Sequence, residues 1–150
     1  MKTRIATFLI LFGTVFTASA QDLLEMIKKD INAERRAIIA EAIEIPTGQE
    51  TEFWNIYNQM EAELDALTDK RAANIKNFAD NAADLTDDVA NDLVMTFYDI
   101  NVSRFKVYKT YYKKTSKVMS KVEAARFVQV MDQIQLLIDV QLAAEVPLIE

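Results

Sequence analysis

Beyond residue 20, apolar side chains return at helical intervals in four stretches, separated by the chain's few breakers and by capping residues. Leu24, Ile27, Ile31 and Ile38 predict a first helix from about Asp22 to Ala42, ended near Ile45-Pro46 because a residue before proline is pushed out of the α region. Phe53, Tyr57, Met60, Leu64 and Leu67 then step by four and three, and Phe78 rejoins their frame. This is the heptad seam of helices packed at shallow angles. Arg71 and Asn74 interrupt the seam, so its distal half is expected to be less deeply buried. Thr47-Gly48-Gln49-Glu50 reads as the capping box that opens this second helix. A third helix is expected from Thr86 as cap through Val89, Leu93, Phe97, Ile100, Val107 and Tyr111 to about Val118. Ser120-Lys121-Val122-Glu123 is a further capping box, and the stripe Phe127, Val130, Met131, Ile134, Leu137, Ile138, Leu142 predicts a fourth helix ending at Val146-Pro147. The middle helices reach on the order of 45 to 50 Å at 1.5 Å per residue. The fold expected is all-α: an elongated four-helix hairpin-type bundle.

The first twenty residues follow a different pattern. Lys2 and Arg4 precede an apolar stretch from Ile5 to Phe16, and Ala18-Ser19-Ala20 precede Gln21. That order is a cleavable signal peptide, 1–20, leaving 21–150 as a single helical domain. With Gln at position 21 and no cysteine in the chain, no lipid-modified cysteine can tether the product, and no stable membrane anchor is expected. The expected location is the periplasm, as a soluble exported protein.

Composition narrows the chemistry. Only two Gly and two Pro occur, leaving little room for a turn-rich β fold. Without cysteine, stability must come from packing and assembly; long helices with a heptad seam make a homodimer the expected state. Without histidine, Ser–His and Cys–His nucleophiles, imidazole–metal sites and di-iron Glu-x-x-His pairs cannot be built. The acidic clusters Glu61/Glu63/Asp65/Asp69 and Asp84/Asp87/Asp88 lack the spacing and turn glycine of an EF-hand. No catalytic residue, metal site or cofactor is therefore expected, and the protein is read as a binding protein rather than an enzyme.

Charge supplies the candidate surface. Removing Lys2 and Arg4 from 17 basic residues leaves 15 against 23 acids, a formal charge of −8 that argues against a nucleic-acid partner. Between Glu61 and Asp99 ten acids face only Lys70, Arg71 and Lys76, whereas Ile100 to Val122 carries Arg104, Lys106, Lys109, Lys113, Lys114, Lys117 and Lys121 with no acid. Phe105, Tyr108, Tyr111 and Tyr112 interleave with those bases. The candidate protein-binding residues are Arg104, Phe105, Tyr108, Lys109, Tyr112, Lys113 and Lys117. The competing reading makes the aromatics core and the bases a solvated face.

Pro46-Thr47-Gly48-Gln49-Glu50, Leu85-Thr86-Asp87-Asp88-Val89 and Met119-Ser120-Lys121-Val122-Glu123 resemble degenerate copies of the LTxxQ motif of the periplasmic Spy/CpxP family. Phe53-Trp54-x-x-Tyr57 with Glu61-x-Glu63-Leu64, and Ala125-Arg126-Phe127 with Leu142-Ala143-Ala144 before Pro147, resemble small secreted helical proteins related to it. The resemblance covers most of the chain after residue 20. It implies an antiparallel dimer of curved helical hairpins, acting as an ATP-independent chaperone (holdase) or an envelope-stress accessory that binds non-native or envelope proteins. The alternative is a regulatory or structural module that docks on one folded partner, such as a sensor's external domain.

Overall fold

A computed structural model describes residues 34–148; the expected signal peptide, its cleavage point and the Asp22 start of the first helix lie outside the described residues. Among the described residues four helices follow one another: α1, described over 34–42; α2, Glu50–Asn81; α3, Asp87–Thr115; and α4, Lys121–Glu145. A single 3₁₀ turn, Ala82–Asp84, joins α2 to α3, and no strand occurs among the described residues. Short connections force successive helices to lie antiparallel. The cross-links agree. Arg35 pairs with Glu61 between α1 and α2, Tyr111 donates to Glu63 and Asn74 to the Leu93 carbonyl between α2 and α3, and Tyr108 meets the Met131 carbonyl between α3 and α4.

Each helix start has a local cause, and one differs from expectation. Thr86 Oγ1 accepts from the Val89 amide at 3.4 Å and Ser120 Oγ from the Glu123 amide at 3.1 Å, so both act as N-caps. Thr47 does not. The chain turns tightly after Pro46, with the Gln49 amide bonded to the Pro46 carbonyl at 2.9 Å and Gly48 at φ 85°, as the third residue of a type II turn requires. The turn consumes the residues of the expected box, so Gln49 becomes the N-cap position and the Glu50 carboxylate reaches back to the Gly48 amide instead, at 2.7 Å. The Ser120 box is likewise half formed. The Glu123 carboxylate accepts from the Glu44 amide at 3.0 Å and from Arg126, tying the α1–α2 turn to the start of α4.

The core is concentrated at that closed end. Phe53, Tyr57, Met60 and Leu64 of α2 pack with Ile39 and Ile43, with Val107, Tyr108 and Tyr111 of α3, and with Ala124, Phe127 and Met131 of α4. Phe53, Trp54, Tyr57 and Phe127 meet edge to face, with centroids 5.1 to 6.5 Å apart, and the Arg36 guanidinium covers Trp54 at 4.1 Å. Toward the opposite end, the tip, packing thins: α2 buries nothing beyond Leu64, and α3 buries only Leu93 and Ile100 before Val107. A smaller cluster of Ile134, Ile138 and Leu142 continues along α4. Among the described residues, no helix is long and apolar enough to cross a membrane.

Candidate protein-binding surface

α3 carries six of the seven candidate residues, Lys117 lying in the turn just past its end, and its two faces do different work. Inward, Leu93, Ile100, Val107, Tyr108, Tyr111 and Thr115 recur at helical spacing and are buried. Outward, Met95, Tyr98, Val102 and Phe105 step by three, four and three, and remain 54%, 59%, 49% and 59% exposed. These four form a second apolar seam on the same helix, facing away from the core. Lys109 and the half-buried Tyr112 extend its frame toward the helix C-terminus.

Of the seven residues expected to bind partners, Phe105, Lys109, Lys113 and Lys117 lie exposed, and Tyr112 is half-buried. Arg104 and Tyr108 turn inward. The Arg104 side chain is 11% exposed, pairs with Asp139 of α4 at 3.3 Å and donates to Asn101 at 2.6 Å. Tyr108 is buried, its hydroxyl 3.4 Å from the Met131 carbonyl, and burial pushes its phenol up to about 12. The aromatics of the basic stretch are thus split: Tyr108 and Tyr111 are core, whereas Phe105 belongs to the outer seam. Sequence reading missed Met95, Tyr98 and Val102. Their signal was the 3-4-3 spacing with Phe105, overshadowed by the stronger inner stripe of the same helix.

Electrostatics divide α3 along its length. From Asp87 to Asp99 it carries Asp87, Asp88, Asp92 and Asp99 and no base; from Arg104 to Thr115 it carries only bases. That order follows the helix dipole, with acids at the positive N-terminus and Lys113 and Lys114 in the last turn. Lys114 bonds Gln59 at 3.1 Å and sits 4.2 Å over the Tyr111 ring, whereas Lys106, Lys109, Lys113 and Lys117 project into solvent. The exposed seam therefore joins an acidic end to a basic end. Among the described residues, no three acidic side chains gather where a metal ion could be held. No family model, curated protein or solved structure matches the chain.

Proposed function

We propose that this is an exported protein that binds other polypeptide chains through the outer face of α3, acting in the periplasm as an ATP-independent holdase for non-native envelope proteins. The observation that carries this reading is the outer seam of Met95, Tyr98, Val102 and Phe105, half-exposed and continuous with Lys109, Lys113 and Lys117. Contiguous exposed apolar surface with a polar rim is characteristic of interaction sites. Aromatic side chains give adaptable short-range contact, while flanking bases raise the encounter rate with acidic chains. The resemblance to the Spy/CpxP family is in keeping with the same role.

The face also suits a second copy. Laid antiparallel about a two-fold axis near Ile100, two α3 helices would set Met95 beside Phe105 and Tyr98 beside Val102. Lys109 and Lys113 would then meet Asp92 and Asp87 of the other copy. Self-association and client binding would use the same surface and compete. The test is light scattering from several unrelated, unfolding client proteins with and without the mature chain. Broad suppression that Tyr98→Asp with Phe105→Asp abolishes supports the holdase. Indifference across clients shifts the reading to a module docking on one folded partner.

A further inference from the structure

At the tip, where the core thins, the helices part into a cleft of about 360 Å³, walled by Ile75 and Phe78 of α2, Leu93 and Phe97 of α3, Leu142 near the end of α4, and Leu148 in the segment that follows it. Its size lies in the range of about 300–1,000 Å³ usual for small-molecule sites. Polar groups in the lining come from Arg71 and Asn74, and the Asn74 amide gives one of its two N–H donors to the Leu93 carbonyl. Arg71 stands at the inner end of the cleft, its guanidinium 5.8 Å from the Phe97 ring.

The charge around Arg71 does not balance. Asp139 accepts from Arg71 at 2.5 Å, pairs with Arg104 at 3.3 Å and accepts from Gln135 at 3.0 Å, so one carboxylate serves two guanidinium groups. The three charged side chains are only 17%, 11% and 26% exposed, and Nε of Arg104, which stands behind Asp139 and outside the cleft lining, is buried without a hydrogen-bond partner. A partly buried excess of one positive charge is costly where water screens it poorly, and an arriving anion relieves that cost. The Arg71 donors not taken by Asp139, at the inner end of an apolar cleft, are matched by a carboxylate on an apolar chain.

We infer that the cleft binds a single-chain amphiphile with an anionic head, of the fatty carboxylate class, its chain along the apolar walls and its head on Arg71. This site adjoins the outer seam without sharing a residue with it: Phe97 lines the cleft, whereas Tyr98, whose ring meets that of Phe97 edge to face at 5.6 Å, lies on the seam.

Calorimetric titration of the purified protein with decanoate, decanol and decylamine tests the assignment. Decanoate should bind saturably at one site, on the order of tenfold or more tighter than decanol, with decylamine the weakest. Arg71→Met keeps the Arg104–Asp139 pair and an apolar stem. It should bring decanoate down to the affinity of decanol and leave decanol unchanged. Ala143→Trp, at an exposed lining position, should fill the cleft and remove both ligands, with helical circular dichroism intact. Equal affinity for decanoate and decanol, an unaffected Arg71→Met protein, unaffected binding by Ala143→Trp, or no saturable binding at millimolar ligand overturns the proposal.

Discussion

At the scale of single residues, the buried tyrosines govern how the fold responds to alkali. Tyr108 and Tyr111 have their phenols raised from the ordinary 10.0 to about 12, chiefly by burial, with the Tyr111 hydroxyl also donating to Glu63 at 2.8 Å. Burial raises Tyr57 as well, reinforced by its hydrogen bond to Glu61. A raised folded-state pKa means that the unfolded chain loses its phenolic protons first, so this stability is complete below pH 10 and drains away as pH climbs through about 12. Urea midpoints should therefore fall steeply between pH 9.5 and 11.5. Tyr108→Phe should cost about 1 kcal/mol at pH 7 and make that fall shallower. An unchanged slope in the variant would remove Tyr108 from the account. The sequence placed Tyr108 among bases but could not orient it. Residues 105 and 108 are neighbours along α3, but Tyr108 sits beside Val107 and three before Tyr111 on the inner stripe, and its contact with Met131 completes its burial. Arg104 lies four after Ile100 and three before Val107, on the inner side by spacing, but its partner Asp139 is 35 positions away and could not be read from local pattern.

At the scale of helices, stability is uneven along the bundle. Phe127 is fully buried against Phe53 and Tyr57, so Phe127→Ala should cost about 3–5 kcal/mol, whereas Phe105→Ala on the outer seam should stay within about 0.5 kcal/mol. Equilibrium unfolding in urea compares the two directly. Amide exchange should be slowest around Tyr57, Tyr111 and Phe127 and fastest through 78–92 at the tip, where few apolar side chains are buried. Comparable protection at both ends would contradict this uneven packing. Much of the pattern was legible beforehand. The breaks at Pro46 and Thr86, the inner stripes of α2 and α4, and the weakening after Leu67 all follow from spacing and chain chemistry. The failure of the Thr47 box was not legible, because three of its four residues also complete a glycine turn that begins at Pro46, and the Pro46–Gln49 hydrogen bond selects that turn. Leu137 shows a second limit: it fits the apolar stripe of α4 by spacing but is 65% exposed, since no described neighbour covers that side.

At the scale of the whole molecule, an acidic chain bears one helix divided into an acidic and a basic half, with an exposed apolar seam between them. Reversing Lys109, Lys113 and Lys117 to Glu should weaken client binding at low salt and flatten its salt dependence. Helical content should not change, because all three side chains are exposed. Binding as strong as the parent's would reduce these bases to a solvated face. Self-association should also weaken in that variant, since the proposed antiparallel pairing places Lys113 opposite Asp87; sedimentation equilibrium would register it. The most direct test of the central claim is contact itself. A photo-crosslinking residue placed at Phe105 on the outer seam is compared with one at the exposed Ala66 on α2, each in the presence of an unfolding client. The account predicts client adducts from position 105 well in excess of those from 66, reduced when Tyr98→Asp is added. Equal yields from the two positions, or none to client from 105, would contradict it.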